Sequence, residues 1–399
     1  MSEYVLVVNA GSSSLKYSLV DAVSGEAAAS GLVERIGEAS GRLTHEGPSG
    51  KTDLEREVPS HEDALRAALD AFSEYGPSLD DTEIRAVGHR VVHGGARFSE
   101  PVLIDDELVA KVKELIPLAP LHNPANLEGI ATALKLFPDV PQVAVFDTAF
   151  HSTLPPEAYT YAFPTSWLEQ HRIRRYGFHG TSYSFVSGGA AELLGRPLAE
   201  LNLIVLHLGN GASAAAIRGG RSVDTSMGLT PLEGLVMGTR SGDVDPALHA
   251  HLHRQLGWSL EDIDGMLNRE SGLKGLSGHN DFREVDQRRR AGDPAARLAF
   301  DVYCYRIRTY VGAYYAALGT VDAIVFTAGV GQNAASVREH SLSGLQRLGI
   351  EVDPGRNESR ITEPTVVSPD GCEVAVLVIP TNEEWEIARQ AMAVVEADR

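Results

Sequence analysis

The chain has 399 residues, of which 43% are hydrophobic and 22% are charged. That length and composition exclude a disordered or fibrous protein and predict a folded chain with two domains. The formal net charge is −19, from 54 acidic and 35 basic residues, which disfavours binding to nucleic acid or to an anionic membrane. We therefore expect small-molecule partners, no nucleic acid and no membrane.

Cys304 and Cys372 are the only cysteines, and the sequence has no CxxC pair and no HExxH motif. A disulfide framework and a structural zinc site are therefore not expected. The N-terminus lacks a basic segment followed by a long apolar core, and no run of about 18 apolar residues is present. These observations predict a cytoplasmic protein.

The first predicted element is a hairpin in residues 5–20, VLVVNAGSSSLKYSLV, in which two apolar strands flank a turn of small residues. Small residues let backbone N–H groups approach an anion, and Lys16 adds a positive charge. The turn matches neither the GxxxxGK[ST] nor the GxGxxG pattern, so the phosphate grip must be of another kind. The alternative is an ordinary surface hairpin.

A third strand is predicted near residues 30–36, and residues 37–59 predict loops or an edge hairpin. The pattern then predicts helix 61–75, strand 86–92, helix 105–115, helix 123–136 and strand 142–146. Pro155 and Pro156 mark a crossing to a second domain. We expect domains at 1–150 and 151–383, with a C-terminal helix, 384–399, that packs back on the first.

The second domain begins with a copy of the first hairpin in residues 203–218, LIVLHLGNGASAAAIR. Aligned without gaps, Asn9 falls on His207, Gly11 on Gly209 and Ser13 on Gly211. The later elements are strands 203–208, 212–217, 221–224, 323–327 and 374–379 and a final helix, 383–396, with helices between. The duplication predicts an α/β fold of two related lobes with the site in the cleft between them.

Two arginines are the best cationic candidates, because guanidinium groups match carboxylate or phosphate oxygens. Arg90 lies in GHRVVHGG and Arg240 in MGTRSGD. The alternative for each is a surface ion pair, and Asp243 and Asp245 are nearby partners for Arg240. The arginine assignments therefore remain open at this point.

His179, in YGFHGTS, and Asp147, after a buried strand, are further candidates, although each could have a purely structural role. His93, His122 and His151 are weaker candidates, and residues 329–333 follow a buried strand where a nucleoside or α-phosphate could bind. Thr381 and Glu384 have the spacing of a capping box. Glu383 would then point elsewhere, toward a Mg²⁺ shell.

Eight motifs in this order resemble those of the acetate kinase (acetokinase) family, within the superfamily of sugar kinases, heat-shock ATPases and actin. They are VLVVNAGSSSLK, GHRVVHGG, VFDTAFH, YGFHGTS, VLHLGNGAS, MGTRSGD, TAGVGQN and PTNEE. The resemblance implies a duplicated ribonuclease H-like, actin-like ATPase fold of two lobes with the active site in the interdomain cleft. It also implies a homodimer that transfers the ATP γ-phosphoryl group reversibly to acetate.

The resemblance implies a role for each matching residue. The catalytic residues would be Asp147, His179, Arg240 and Arg90. The acetate site would comprise Arg90, Val92, Leu121, Phe178 and Pro231. Nucleotide would be bound by Ser12, Lys16, His207, Leu208, Gly209, Asn210, Gly211, Asp281, Phe282, Arg283, Gly329, Val330, Gly331, Gln332 and Asn333. Asn9 and Glu383 would help hold Mg²⁺, for which Mn²⁺ could substitute.

The chemistry of an acid acceptor fits these roles. A carboxylate has a pKa near ~4–5 and needs no general base at neutral pH, so its main obstacle is repulsion by the triphosphate. We therefore expect Asp147 to orient an arginine, a metal-bound water or His179 rather than to remove a proton. The alternatives are a propionate or butyrate kinase, a pyrophosphate-linked relative, and an actin-like or chaperone-like ATPase.

Overall fold

The computed structural model describes residues 3–79 and 82–398. It divides into two compact units, one that runs to Phe150 and resumes at Asn382, and one from His151 to Thr381. The boundary expected at residue 383 is therefore wrong by two residues. Asn382 is the N-cap of a helix that begins at Glu383, and so both residues group with the first unit.

Strands and helices occur mostly in runs along the chain. The strands are β1 Tyr4–Ala10, β2 Ser14–Asp21, β3 Ala27–Glu34, β4 Gly41–Gly47, β5 Gly50–Arg56, β6 Ile84–Val91, β7 Val102–Leu103, β8 Gln142–Phe146, β9 Asn202–Leu208, β10 Ala212–Arg218, β11 Arg221–Thr225, β12 Ala323–Thr327, β13 Thr365–Val366 and β14 Ala375–Val378. The α-helices are α1 His61–Tyr75, α2 Asp106–Glu114, α3 Asn123–Leu136, α4 Pro156–Tyr159, α5 Thr165–His171, α6 Gly180–Leu194, α7 Ala247–Leu256, α8 Leu260–Arg269, α9 Gly272–Ser277, α10 Phe282–Arg290, α11 Pro294–Leu318, α12 Ala328–Asn333, α13 Ala335–Leu342, α14 Pro354–Asn357 and α15 Glu383–Ala397. Short 3₁₀ helices cover Ile116–Leu118, Ala149–Thr153, Leu198–Glu200 and Gln346–Leu348.

Each unit is built on one mixed sheet. The order is β5-β4-β3-β2-β1-β6-β8-β7 in the first unit and β11-β10-β9-β12-β14-β13 in the second. In both sheets an antiparallel hairpin is followed by two parallel neighbours, β6 and β8 in one and β12 and β14 in the other. The carboxyl ends of these parallel strands meet at one edge of each sheet, where open α/β sheets bind ligands.

The two opening hairpins have the same topology but different turn lengths. Asn9 pairs with Lys16 in the first hairpin, whereas His207 pairs with Ser213 in the second. The first turn is therefore one residue longer. With Asn9 matched to His207, Lys16 therefore corresponds to Ser213 and not to Ala214, and the gapless alignment is wrong by one position after the turn.

Several sequence-predicted elements are confirmed with their bounds. Helices α1 and α3 and strands β8 and β12 have the predicted ends, because their apolar spacing and caps are clear. The edge-hairpin option for residues 37–59 is also confirmed, as β4 and β5 form one antiparallel pair. Among the helices of residues 3–79 and 82–398, none has the length and apolar composition of a membrane span.

Helix α15 completes the first unit because it covers one face of the first sheet. Its buried face matches the predicted apolar stripe, Ile387, Ala388, Ala391, Met392 and Val395. These side chains form one core cluster with residues of β1 and β8, including Val5, Val7, Val143 and Val145. The packing brings the first residues of α15 into the same unit as the ends of β1, β6 and β8.

Candidate active site

The first unit carries polar side chains near the ends of its three parallel strands. Asn9 lies one residue before the end of β1, Arg90 one residue before the end of β6, and Asp147 directly after β8. Glu383 is the first residue of α15. Each of these positions follows from where a buried strand stops or a capped helix starts.

Arg90 and Asp147 form a two-pronged, charge-assisted pair. The Arg90 Nε donates to Asp147 Oδ1 at 2.9 Å, and Nη2 donates to Oδ2 at 2.7 Å. The Arg90 Nη1 lies 3.6 Å from Glu383 Oε2. The Asp147 side chain is only 3% exposed, so its two oxygens bond the Arg90 guanidinium and have little contact with solvent.

Burial and charge act in opposite directions on the pKa of each partner. Burial would lower the pKa of Arg90, but the charges of Asp147 and Glu383 more than offset it and raise the pKa. Burial raises the pKa of Asp147, against the opposing effect of the Arg90 charge. Arg90 is therefore a firmly protonated cation whose charge is already balanced within the unit.

The predicted capping box at the start of α15 is wrong. The Asn382 Oδ1 accepts the Trp385 amide at 3.0 Å, so Asn382 provides the cap. Glu384 instead forms an ion pair with Lys16, whose side chain is half exposed. Burial alone would raise the pKa of Glu384, but the Lys16 ammonium overcomes that effect and lowers it.

In the second unit, His179 precedes helix α6 in a strained conformation. Its φ of 58° lies in the left-handed region, which is uncommon for a residue other than glycine. The ring Nδ1 forms a hydrogen bond with Ser213 Oγ at 2.8 Å, and the Tyr183 hydroxyl contacts the same oxygen at 2.5 Å. These contacts fix the position of the imidazole.

The second glycine turn lies beside His179 and Arg240. A Cβ built on Gly211 would lie 3.6 Å from His179 Nε2 and 3.9 Å from Arg240 Nη1. The His179 ring also stacks on His207 at a centroid distance of 4.1 Å. The structure thus brings a glycine turn, two imidazoles and one guanidinium together within the second unit.

Arg240 has neutral partners only. Its Nη1 donates to the Pro231 carbonyl at 3.1 Å and approaches Met237 Sδ at 3.8 Å. Burial lowers the pKa of Arg240, and in the described part of the chain no carboxylate pairs with it. The ion-pair alternative is therefore wrong: Asp243 accepts the Tyr310 hydroxyl, and Asp245 accepts the Ala247 amide.

A cavity of about 830 Å³ in the second unit is lined by three of the segments predicted to bind nucleotide. The predicted residues that line it are Gly209, Asn210, Asp281, Phe282, Arg283, Gly329, Val330 and Asn333. The remaining predicted residues of this unit, His207, Leu208, Gly211, Gln332 and Gly331, do not line it. Leu208 and Gly331 are buried in the core, and the Gln332 side chain donates to the Ile361 carbonyl.

Sequence reasoning missed Arg338, which also lines this cavity. Its guanidinium is buried and donates to the carbonyls of Gly331 and Gln332 and to Asn357. Burial lowers its pKa to about 10. An arginine between two ordinary helical residues gives no local signal, so only the fold reveals that it braces the glycine-rich helix α12.

The predicted methyl-pocket residues belong to both units. In the first unit, Leu121 is 50% exposed, and the Val92 amide donates to Asn126 Oδ1. In the second unit, Phe178 is buried and Pro231 presents its carbonyl to Arg240. Among the weaker histidine candidates, His151 has a structural role, because its ring contacts Ser222 Oγ and the Phe178 carbonyl.

Comparisons with known proteins show the family of the chain. The model of the acetokinase family matches residues 4–389. The chain belongs to the acetokinase family. It is 58% identical over 393 residues to the acetate kinase of Leifsonia xyli, covering 98% of this chain and 99% of that protein. It is 60% identical over 391 residues to the acetate kinase of Clavibacter michiganensis, covering 98% of each chain.

Solved structures of acetokinases share the fold. The Porphyromonas gingivalis acetate kinase gives a TM-score of 0.94 at 45% identity, covering 98% of this chain and 100% of that one. A propionate kinase from Francisella tularensis gives a TM-score of 0.93 at 43% identity, with the same coverage. The expected fold of two duplicated α/β halves is thus confirmed.

Proposed function

We propose that the chain catalyses the reversible, in-line transfer of the γ-phosphoryl group of ATP to acetate, which gives acetyl phosphate and ADP. The observation that carries this proposal is the identity of 58% and 60%, over nearly the whole chain, to proteins named acetate kinase. The two units supply the groups that this reaction needs.

ATP binding is assigned to the cavity of the second unit. Its volume of about 830 Å³ falls in the range of small-molecule pockets. Two glycine-containing segments, 209–210 and 329–330, let the backbone approach a ligand closely. Asp281 begins helix α10 as its N-cap and pairs with the exposed Arg283, so polar groups flank the apolar ring of Phe282.

Acetate binding is assigned to Arg90, supported by its geometry. Asp147 engages Nε and Nη2, and Nη1, which lies 3.6 Å from Glu383 Oε2, is the proposed donor for a substrate carboxylate. Because acetate is already ionised at neutral pH, no group must remove a proton from it. Val92, Leu121, Phe178 and Pro231 are proposed to contact the methyl group.

Stabilisation of the transferring phosphoryl group is assigned to Arg240 and His179. Charge spreads over the equatorial oxygens of that group in the transition state, and fixed donors aimed at it lower the barrier. Arg240 has no carboxylate partner within its unit and can therefore direct its full charge to the phosphoryl oxygens. Ser213 holds the His179 ring so that Nε2 faces the glycine turn.

Magnesium is assigned to Asn9 and Glu383, with Ser12 and Lys16 beside the terminal phosphate. In residues 3–79 and 82–398 no group of three or more His, Cys, Asp or Glu side chains could hold a metal. This donor set fits Mg²⁺, which typically takes one or two protein oxygens and completes its shell with water and phosphate. When bound, Mg²⁺, or Mn²⁺ in its place, offsets the negative charge of the phosphates.

The decisive test is ADP release measured with and without acetate, together with hydroxamate trapping of acetyl phosphate. We expect ADP formation only with acetate present and one acetyl phosphate for each ADP. Equal ATP hydrolysis in the absence of acetate would instead favour an actin-like or chaperone-like ATPase. Replacing ATP by pyrophosphate tests the pyrophosphate-linked alternative in the same assay.

A second candidate is a propionate kinase, since a family member with that name shares 43% identity with this chain. One methylene in an apolar pocket changes binding by only about 1–3 kcal/mol, so the preference must be measured. A series of kcat/KM values for acetate, propionate and butyrate decides it. A maximum at acetate supports the first candidate.

We further propose a homodimer located in the cytoplasm, as the family resemblance implies. Light scattering coupled to size-exclusion chromatography tests the first statement, with about twice the 42.8 kDa chain mass expected. A mass equal to one chain at micromolar concentration would contradict it. Fractionation of the producing cells tests the second.

A further inference from the structure

The first glycine-serine turn, residues 10–14, has its backbone carbonyl groups held by the rest of the first unit. The Ala10 carbonyl accepts from Asn126 Nδ2 at 2.8 Å, and the Gly11 carbonyl accepts from His61 Nε2 at 2.7 Å. The Ser13 carbonyl accepts from the Ile36 amide, and the Ser14 carbonyl accepts from the Gly11 amide. Three of these oxygens are therefore held by residues outside the turn, and the fourth is held within it.

The amide groups of Ser12 and Ser13, in the same turn, differ from that of Gly11, which donates to the Ser14 carbonyl. Ser12 and Ser13 are exposed, and within the described residues no acceptor is hydrogen-bonded to either backbone N–H. Consecutive free N–H groups in a turn form a concave site for an anion. Holding the carbonyls inward keeps this cradle open and prevents an oxygen from turning toward the ligand.

His61 is the first of the two side chains that hold the turn. It is the first residue of α1 and is 6% exposed. Its Nδ1 lies 2.9 Å from Glu128 Oε2, which fixes the orientation of the ring. The Gly11 carbonyl can only accept a hydrogen bond, so His61 Nε2 is the donor of this bond.

Asn126 is the second, and it connects the turn to the Arg90 segment. Its Nδ2 donates to the Ala10 carbonyl, while its Oδ1 accepts the Val92 amide at 3.0 Å. The side chain is 3% exposed. One buried amide thus connects the glycine-serine turn to the residue that follows the strand of Arg90.

We propose that His61 and Asn126 are positioning residues for the triphosphate of ATP. They act through the carbonyl groups of Ala10 and Gly11, which they hold away from the ligand, so that the Ser12 and Ser13 amides face a phosphate oxygen. This inference rests on the proposed function only in taking ATP as the ligand. Neither side chain needs to touch the nucleotide.

The test compares direct binding of two ligands, ATP with Mg²⁺ and adenosine, by titration calorimetry. The main variants are His61→Ala and Asn126→Ala, with His61→Gln to restore a donor near Nε2. His45→Ala is the matched control, because His45 is also buried in the first unit and its Nε2 contacts the Gly76 carbonyl at 3.0 Å. Thermal melts confirm that each variant is folded.

Loss of one buried hydrogen bond is worth on the order of 1 kcal/mol, so we expect His61→Ala to raise the Kd for ATP by about 5–10-fold. We expect no change in the Kd for adenosine, which lacks phosphate. His61→Gln should recover most of the affinity for ATP, and His45→Ala should bind both ligands like the wild type. Asn126→Ala should weaken ATP binding and also raise the KM for acetate.

Three results would overturn the inference: unchanged ATP affinity in His61→Ala, an equal loss in His45→Ala, or an equal loss for adenosine. Each would mean that His61 stabilises the fold without orienting the turn. A wild-type protein that binds ATP but forms no acetyl phosphate would contradict the proposed function. The comparison of Kd values between the wild type and the variants would remain valid. The two proposals therefore fail by different measurements.

Discussion

The candidate active-site cations of the two units differ in how their charge is balanced. In the first unit, Arg90 is paired with Asp147 and lies near Glu383, and Lys16 is paired with Glu384. In the second unit, Arg240 contacts only a carbonyl and a thioether sulfur. The first unit thus has internally compensated cations, whereas the second holds a half-buried guanidinium that no carboxylate of the described residues neutralises.

This difference assigns different work to the two arginines. A partly buried cation without a counter-ion lowers the stability of the fold, and an anionic ligand that binds to it offsets this loss. We therefore expect Arg240 to supply charge to a bound phosphoryl group. We expect Arg90 to supply orientation instead, because Asp147 fixes the plane of its guanidinium and already offsets its charge.

The largest expected effect is a loss of folding stability when the ion pair between Arg90 and Asp147 is broken. Arg90→Ala leaves the Asp147 carboxylate buried without its partner, which typically costs about 3–5 kcal/mol. Urea unfolding at neutral pH measures this loss as a lower midpoint. Asp147→Asn should cost less, because the amide oxygen still accepts from Arg90.

A double variant, Arg90→Ala with Asp147→Asn, serves as the control for that experiment. Its loss should be smaller than the sum of the two single losses, since neither charge remains buried alone. Additive losses would show that the pair is not coupled. The contrast drawn between the two arginines would then be wrong.

The second effect is on turnover. Arg240→Ala should lower kcat by roughly 10²–10³-fold, the range for loss of one group that stabilises transition-state charge. Because burial already disfavours this cation, the free energy of unfolding should stay the same or rise. Arg240→Lys keeps the charge but loses the planar guanidinium group. Its kcat should therefore lie between those of the wild type and Arg240→Ala.

Steady-state kinetics and urea unfolding on the same protein samples test both parts. Near-normal turnover in Arg240→Ala would contradict the assignment of this residue. A large loss of stability would contradict its description as an uncompensated cation. The matched control is Arg306→Ala, which lies in the same unit and faces Asp243 at 4.0 Å.

Local sequence signals were enough for most of the fold. Helix α1 has a serine N-cap and a clear apolar stripe, and strand β12 is a short buried run, so both could be predicted with their ends. Capping at α15 was harder, because Thr381, Asn382 and Glu384 offer two competing caps. Because Glu384 was assigned to a capping box with Thr381, its ion pair with Lys16 was not predicted.

The repeat in the sequence showed the duplication but not its register. A gapless alignment cannot detect a turn that is one residue longer, so it placed Lys16 opposite Ala214. The partners of Arg240 were equally hidden, since Asp243 and Asp245 are close in sequence but bond elsewhere. Long-range contacts such as those of Arg338 and His61 depend on the packed fold and leave no periodic trace.

The third effect concerns Ser213, the residue of the second hairpin that corresponds to Lys16 in the corrected alignment. Ser213 bonds His179 Nδ1 and the Tyr183 hydroxyl, so Ser213→Ala removes one hydrogen bond that orients the imidazole. Loss of one orienting hydrogen bond of about 1 kcal/mol should lower kcat about 5–10-fold with little change in the KM for ATP. Ser222→Ala, which removes the partner of the structural His151, is the control. An equal fall in kcat in both variants would mean that Ser213 has no special role.

The smallest effect belongs to Lys16 itself and depends on pH. The pKa of Glu384 is lowered from its ordinary 4.5, because Lys16 overcomes the effect of burial. A lowered acid pKa adds stability that is present above 4.5 and is lost as the pH falls through the folded-state value. Lys16→Met should therefore be less stable than the wild type at neutral pH, by at most about 1 kcal/mol for this half-exposed lysine. Urea unfolding at several pH values should show the difference in the free energy of unfolding disappear below the ordinary pKa of Glu384.

Lys111→Met, which removes an exposed helical ion pair with Glu107, is the control for loss of a surface lysine. A difference between Lys16→Met and the wild type that persists in acid would mean that Lys16 stabilises the hairpin by packing, and the charge compensation described for the first unit would then rest on Arg90 alone.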